Sequence, residues 1–259
     1  MVTKGIDVSR YQGTIDWPQV KAAGIEFAII RATLGWDNDN QVDPQFNNNA
    51  QGCEANGIPY GFFHYSFAES AEDAKKEAAF FLRHIAPYKP AMPVAFDFEE
   101  PFQVGGTDKY GRKYEGYSPE RQLSIIEAFM SVIERAGYFG ALYMSKSALQ
   151  RLHDYAPARV AKYAAWVAHV KVAATTYTGK YGIWQYSWEG SVPGISGPVD
   201  MDICYIDYPT IIRRAGFNGW DKADVPAEEP DAEPDYKTLY LAAKPKADKY
   251  DQICAITAQ

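Results

Sequence analysis

The sequence lacks the features that mark several large classes of protein. Its three cysteines, Cys53, Cys204 and Cys254, form no CxxC pair and have no histidines at metal-ligand spacing. We therefore expect reduced, mostly buried thiols, and neither a disulfide framework nor a zinc site. No apolar run reaches the length of a membrane span, which argues against membrane insertion.

Basic residues are also too few, and too scattered, for a nucleic-acid-binding protein. The chain of 259 residues carries 26 Lys and Arg against 33 Asp and Glu, a formal net charge of −7. Proteins that bind nucleic acid present a basic patch or stripe, and no Lys/Arg cluster occurs here. The sequence predicts no nucleic-acid partner.

Aromatic and apolar residues are plentiful. Hydrophobic residues make up 47% of the chain, enough for a sizeable core, and the chain has nineteen Tyr and six Trp. Flat amphipathic rings suit carbohydrate faces, but they suit ordinary cores and interfaces equally well. The aromatic content alone leaves both interpretations open.

Short apolar runs alternate with helical patterns up to about residue 216. The patterns predict strands over 4–9, 27–33, 58–67, 92–99, 138–145, 162–170, 181–188 and 199–206, and helices over 16–24, 43–57, 70–85, 118–137 and 208–216. Continuous apolar strands separated by helices are typical of a parallel sheet covered by helices. We predict an α/β fold, a modified (β/α) barrel of about eight mostly parallel strands. The modification is expected late in the chain, where helices between strands are weak or absent.

The character of the sequence changes after residue 219. Prolines recur at four-residue spacing (Pro226, Pro230 and Pro234), and residues 221–235 hold seven acids and one lysine. This composition predicts a main folded domain over 1–219, an acidic, extended linker over 220–237 and a short C-terminal segment over 238–259. The segment could dock on the barrel, make a homo-oligomer or begin a longer module.

In one stretch, PVAFDFEE at 93–100, the apolar residues of a predicted strand are followed by three acidic residues. Asp97 and Glu99 share one face of the strand, with Phe96 and Phe98 on the other. Two carboxyl groups in a partly apolar pocket cannot both ionise easily, so one keeps a proton beside a carboxylate. Glycosidic cleavage needs this pair of roles. A helix cap, a pair with arginine or a cation site would also account for the motif.

Two further acids are expected at the same rim. Asp7 lies at the end of the first predicted strand and Asp200 in the last, and these strands are neighbours if the barrel closes. The alternatives are a turn residue for Asp7 and a pair with a basic side chain for Asp200.

Eight blocks of the sequence, in order, resemble the glycoside hydrolase family 25 lysozymes. They are GIDVSRYQGTIDW (5–17), FAIIRAT (27–33), GFFHYSFA (61–68), PVAFDFE (93–99), ALYMS (141–145), AAWVAHV (164–170), YGIWQYS (181–187) and VPGISGPVDMDICY (192–205). These enzymes are the Chalaropsis-type N-acetylmuramidases common among phage endolysins, and the resemblance covers about residues 3–216.

The resemblance implies an acidic groove that cleaves the β-1,4 bond between N-acetylmuramic acid and N-acetylglucosamine in bacterial peptidoglycan. The chemistry needs neither cofactor nor metal. On the matching positions Glu99 corresponds to the general acid and Asp97 to its partner, and Asp7 and Asp200 correspond to the other two acids. The matching groove positions are Tyr65, Tyr143, Trp166 and Gln185.

The chain departs from the family pattern in three places. Asp202 stands where the family more often has Asn, and either raises a neighbouring pKa or points away from the groove. Cys204 stands where an aromatic residue is usual. The segment 101–117 is long, and predicts either a mobile lip beside the groove or an ordinary exposed insertion. By strand alternation, His64 should point away from Tyr65, into packing.

Alternative functions remain open from sequence. The same groove could belong to a non-hydrolytic wall-binding module, a phage structural component or a chitinase-like enzyme. Substrate-assisted retention is the favoured route, although sequence does not separate retention from inversion. The first residues, MVTKGIDVSRYQG, lack the apolar stretch of a signal peptide. We therefore expect storage in the host cytoplasm before release, as for a phage endolysin, or a secreted protein whose leader has been removed.

Overall fold

A computed structural model describes residues 2–36, 38–108 and 110–221. Within them eight strands close a barrel in chain order: β1 Thr3–Val8, β2 Phe27–Leu34, β3 Tyr60–Tyr65, β4 Val94–Asp97, β5 Gly140–Ser145, β6 Ala164–Ala168, β7 Ile183–Gly190 and β8 Val199–Cys204. Strands β1 to β7 run parallel, and β8 is antiparallel to both its neighbours, β7 and β1. The predicted modified barrel of mostly parallel strands is confirmed.

Helices cover the outside of the barrel. They are α1 Trp17–Ala22, α2 Phe46–Ala55, α3 Ala71–Ile85, α4 Pro101–Val104, α5 Pro119–Arg135, α6 Lys146–Tyr155, α7 Pro157–Val160 and α8 Tyr208–Ala215. Side chains of Asp16, Ser70 and Ser118 cap α1, α3 and α5 by accepting backbone N–H groups. These caps explain why the sequence predicted those helices.

The late strands lack covering helices, as the sequence pattern indicated. In the described residues no helix lies between β6 and β7 or between β7 and β8. A parallel return needs a crossover of about a dozen residues or more, and residues 191–198 are too few. The chain therefore turns back as a hairpin, which makes β8 antiparallel.

Strand alternation divides the core into two layers. The side chains of Phe96 and Phe98 point away from the barrel interior, into the layer between the strands and the helices. There the Phe96 ring stacks on Phe129 of α5, with 4.1 Å between the ring centroids. Ala95 faces the barrel interior with Phe63 and other apolar side chains. The predicted separation of the phenylalanines from the acid-bearing face of β4 is confirmed.

His64 belongs to the outer layer, as predicted. It is fully buried, its ring stacks on Phe129, and its Nδ1 lies 2.8 Å from Thr33 Oγ1. Its Nε2 lies 3.3 Å from a carboxylate oxygen of Glu77 on α3. The histidine thus joins a strand to a helix and stays away from the barrel interior.

The lower end of the barrel interior is apolar and tightly filled. Phe27 lies against Gly5, where a Cβ atom would come within 2.4 Å of the phenyl ring. Tyr208 and Ile212 of α8 pack into the same cluster. Because apolar side chains fill this end, the polar interior residues of the strands collect at the other end.

Candidate active site

A cavity of about 570 Å³ opens at the carboxyl ends of the parallel strands. Open sites at this end are the rule in (β/α) barrels. Among the described residues, the lining contains five acids and a set of aromatic side chains: Asp7, Asp97, Glu99, Glu100 and Asp200, with Tyr11, Phe63, Tyr65, Phe67, Tyr143 and Trp166. The four acids singled out from sequence therefore lie around one opening.

Asp97 and Glu99 occupy the centre of this lining. Asp97 ends β4 and is 4% exposed, and its Oδ1 has no hydrogen-bond partner among the described residues. Burial raises the pKa of Glu99 to about 7, helped by the negative charges of Glu100 and Asp200. Burial and Glu99 raise the pKa of Asp97, against the opposing effect of the Arg31 guanidinium. About half of the Glu99 carboxyl is therefore protonated at neutral pH.

Asp7 and Asp200 are direct neighbours across the β1–β8 pair. The Gln185 side chain joins them, because its Nε2 donates to Asp7 Oδ2 at 2.8 Å and to Asp200 Oδ2 at 3.3 Å. Burial raises the pKa of Asp200 to about 6. Asp200 lies near the start of β8, and reaches the same rim as Asp7 only because β8 is antiparallel.

Asp202 points into the barrel below Asp7. It is fully buried, its Oδ1 accepts the Trp166 indole N–H at 2.7 Å, and its Oδ2 has no hydrogen-bond partner by distance and angle. Burial raises the pKa of Asp202 to about 8. After burial itself, Asp202 is the largest cause of the raised pKa of Asp7. Of the two roles open for this acid, the structure favours a raised neighbouring pKa.

The aromatic side chains differ in how they meet the cavity. Tyr65 is half-buried, whereas Tyr143 is 7% and Trp166 2% exposed. Tyr143 and Trp166 therefore form a floor and do not present open stacking faces. The Tyr143 hydroxyl donates to Gln185 Oε1 at 2.9 Å.

Gln185 does not line the cavity, unlike the other three expected groove positions. It lies buried beneath the acids, and its amide contacts Asp7, Asp200, Tyr143 and the Trp188 indole. Its position fits a residue that holds the carboxylates in place.

Sequence reasoning missed several residues of the cavity wall. Glu100 accepts a hydrogen bond from the Tyr65 hydroxyl at 2.5 Å, and the third acid of PVAFDFEE was the available signal. Arg31 donates from Nε to Asp43 Oδ2 at 2.8 Å. A single arginine at a strand end gives no signal by itself, because its partner is found only in the fold.

The segment 101–117 follows Glu100 but stays outside the cavity. None of its described residues is part of the lining, and Thr107 and Lys113 form an antiparallel bridge. Gln103 anchors its start by donating to the Ala68 carbonyl at 2.8 Å. This position matches an exposed insertion.

The described residues present neither a cluster of metal ligands nor a membrane-spanning helix. Across the described ranges, no group of three or more His, Cys, Asp or Glu side chains is arranged to hold a metal ion. No helix in the same ranges has both the length and the apolar character needed to cross a bilayer. The described Cys53 and Cys204 are buried thiols.

Comparison with known proteins places this geometry in a family. The sequence profile of glycosyl hydrolases family 25 matches residues 6–195. Lysozyme M1 of Streptomyces globisporus is 30% identical over 206 residues, which are 77% of this chain and 66% of that protein. A lysozyme of Lactococcus phage mv1 is 30% identical over 194 residues, 74% of this chain and 90% of the phage protein.

A solved structure agrees with the sequence comparisons. The bacterial lysozyme from Streptomyces coelicolor superposes with a TM-score of 0.64 at 28% identity, covering 85% of this chain and 94% of the other. The matched profile spans most of the barrel and includes four of the five acids of the cavity. The chain therefore belongs to glycosyl hydrolase family 25 and is a glycoside hydrolase of the lysozyme type.

Proposed function

We propose that the protein hydrolyses the β-1,4 bond between N-acetylmuramic acid and N-acetylglucosamine in bacterial peptidoglycan, with Glu99 as the general acid. The observation that supports this best is the Glu99 carboxyl, whose pKa of about 7 leaves about half of it protonated at neutral pH and most of it below, within a cavity lined by four other described acids. A protonated carboxyl beside an ionisable partner is the arrangement that glycosidic cleavage requires.

Glu99 donates its proton to the glycosidic oxygen as the bond from that oxygen to C1 breaks. Positive charge then develops at C1, and the surrounding carboxylates stabilise it electrostatically. Asp7 and Asp200, joined by Gln185, supply negative charge at the rim without each needing full ionisation.

Asp97 orients the substrate's N-acetyl group in this mechanism. Asp97 is part of the cavity lining, so its carboxyl group can accept the acetamido N–H. The acetamido carbonyl oxygen then attacks C1 while the leaving oxygen takes the Glu99 proton. Water next attacks C1 and gives a proton to the Glu99 carboxylate. This attack breaks the bond between C1 and the acetamido oxygen, which opens the five-membered ring that the first step closed. The configuration at C1 is therefore retained. A substrate with a thioamide in place of this amide should turn over far more slowly, and unchanged turnover would exclude the route.

The remaining site residues act on the sugar from around the opening. Tyr65 is exposed enough to contact a sugar ring, whereas Tyr143 and Trp166 limit the depth of the cavity. We assign catalysis to the domain over 1–219 and its place of action to the bacterial cell wall. The predicted linker and C-terminal segment lie, apart from Trp220 and Asp221, outside the described residues.

Glu99→Gln tests the assignment, because the amide keeps the shape of the side chain but loses the acid. Clearing of bacterial walls should fall by about 10²-fold or more, the range for removal of a general acid. Glu72→Gln, at an exposed site on α3, is the matched control and should clear walls at the wild-type rate.

Mass spectrometry of the products identifies the bond that is cut. N-acetylmuramic acid at the new reducing end supports the proposal, whereas N-acetylglucosamine there would indicate the other glycosidic bond. Binding to walls without any released fragments would favour a non-hydrolytic wall-binding module.

A further inference from the structure

One wall of the acidic cavity is basic, and the hydrolysis described above does not use it. Arg10, Tyr11 and Gln12 form a 3-10 helix directly after β1, and all three line the cavity. Arg31, from β2, lines the same opening. Tyr11 is 72% exposed, so its ring is available to a ligand in the cavity.

The 3-10 helix is held firmly in position. Ser9 and Gln12 cap each other, since Ser9 Oγ accepts the Tyr11 N–H and Gln12 Oε1 accepts the Ser9 N–H at 2.9 Å. The Arg10 backbone N–H donates to Asp43 Oδ2 at 3.0 Å. A surface fixed in this way needs little ordering when a ligand binds.

The two arginines next to Tyr11 have different partners. Both have Cζ 5.2 Å from the centroid of the Tyr11 ring. Arg31 is nearly buried, and its guanidinium pairs with Asp43 at 2.7 Å. Arg10 is exposed, and its Nη2 donates to the Tyr11 hydroxyl at 3.4 Å. No acidic side chain in the described part of the chain forms an ion pair with Arg10. The Arg10 guanidinium therefore keeps hydrogen-bond donors for an anion.

We propose that Arg10 and Tyr11 form a subsite for a sugar unit that carries a carboxylate. The Tyr11 ring contacts the sugar face while the Arg10 guanidinium pairs with the carboxylate. The inference rests on the proposed function, because peptidoglycan carries carboxylates on its stem peptides and, where a stem peptide is missing, on the lactyl ether. Five cavity acids and a net charge of −7 would otherwise disfavour an anionic glycan, and Arg10 offsets this locally.

Binding to three forms of one glycan tests the subsite. The forms are strands with stem peptides, strands freed of peptides so that lactyl carboxylates are exposed, and the freed strands with those carboxylates converted to methylamides. Affinity is measured by calorimetry in the Glu99→Gln background, with and without Arg10→Gln, so that the strands remain intact.

Arg10→Gln should weaken binding of the carboxylate-bearing strands about tenfold and leave the methylamide strands unchanged. A loss on the peptide-free strands identifies the lactyl carboxylate as the ligand, whereas a loss confined to peptide-bearing strands identifies a stem-peptide carboxylate. No change on any strand, or an equal loss on all three, overturns the proposal.

Arg83→Gln is the matched control variant. Arg83 is an exposed arginine whose Cζ lies 5.1 Å from the Phe80 ring centroid, and it is not part of the cavity lining. It should leave all three affinities unchanged. Because the readout is binding, a chain that bound carboxylate strands through Arg10 but cut no bond would refute the proposed hydrolysis and keep the subsite.

Discussion

At the scale of single residues, Glu100 sets the pH range in which Glu99 can act. Its negative charge is the second cause, after burial, of the raised pKa of Glu99. Proton donation from Glu99 is lost as the pH rises through about 7, so this limb of the pH profile reports the donor. Because the acids interact, the measured value belongs to the group as a whole.

Glu100→Gln should therefore move the alkaline limb of kcat/KM to lower pH. Without the neighbouring charge the Glu99 carboxyl loses its proton more easily, and activity above pH 7 falls. The measurement is kcat/KM on solubilised peptidoglycan across pH 4 to 9. A limb that stays in place, or moves to higher pH, would contradict this account of the proton donor.

Asp202 gives a second prediction, on stability. Its folded-state pKa of about 8 lies above the ordinary value of 3.8, so the folded protein holds a proton that the unfolded chain releases. Stability is therefore lost as the pH rises from about 4 to about 8. Asp202→Asn removes this loss and keeps an oxygen for the Trp166 indole.

Asp202→Asn should raise the melting temperature at pH 8 by about 2 °C or more and change it little at pH 4. Thermal unfolding at both pH values measures the difference. Asp39→Asn, at a site whose side chain is 86% exposed, is the control and should show no such pH dependence. An Asp202→Asn variant equally destabilised at both values would show that the acid is needed for packing alone.

The site residues show how far sequence reasoning reached. Asp97 and Glu99 were predictable because strand alternation and a single local motif determine their direction. The partners of the arginines were not, since Arg31 meets Asp43 across a connection and Arg10 meets the same carboxylate through its backbone. Gln185 was expected at the cavity surface, but the hydrogen bonds that keep it buried come from β1, β5 and β8.

At the scale of secondary-structure elements, a helix was predictable where capping or turn residues separate it from the preceding strand. Helices α1, α3 and α5 each follow a capping side chain and were predicted. Helix α6 is also capped, by Ser145, but it was not predicted. Ser145 is the last residue of β5 as well, so no turn residues separate strand from helix. The direction of β8 was also not predicted, because it follows from the short 191–198 connection and not from its own residues.

The contact between β3 and α3 contains a buried polar network that can be tested by substitution. Glu77 accepts the Phe67 N–H and the Ser66 hydroxyl, both at 2.7 Å, and lies beside His64. Glu77→Ala leaves these buried groups without an acceptor. We expect a loss of about 3 kcal/mol or more in the free energy of unfolding, measured by urea denaturation.

Glu72→Ala is the control on the same helix. Its carboxylate is exposed and pairs with Lys75 at 3.7 Å, so the change should cost less than about 1 kcal/mol. Ala is the best helix former, so helix propensity cannot account for a loss in either variant. Equal losses for Glu72→Ala and Glu77→Ala would mean that the buried network contributes nothing beyond an exposed glutamate.

At the scale of the whole molecule, the question is where the folded catalytic unit ends. The sequence predicted a linker from residue 220, because acids and prolines dominate beyond it. Trp220 nevertheless packs against the barrel cluster and its indole donates to the Pro90 carbonyl at 3.2 Å. Composition over a long window cannot detect one such residue, since its partner is distant in sequence.

Two truncations locate this end. Asn218 is fully buried, donates to the carbonyls of Pro90 and Met92, and accepts the Phe139 N–H at 2.8 Å. A chain of residues 1–216 loses these bonds and Trp220, and should melt about 5 °C or more below the full chain. A chain of residues 1–221 keeps them and should melt within about 2 °C of the full chain.

Hydrolysis by the chain of residues 1–221 tests the same end point of the catalytic unit. If 1–221 is the catalytic unit, it should release the same fragments from solubilised peptidoglycan at the rate of the full chain, since every described residue of the cavity lining lies within it. Slower action on whole walls, with an unchanged rate on soluble fragments, would assign wall binding to residues 222–259. A 1–221 chain that melts early or loses activity on soluble fragments would instead show that residues 222–259 belong to the folded unit.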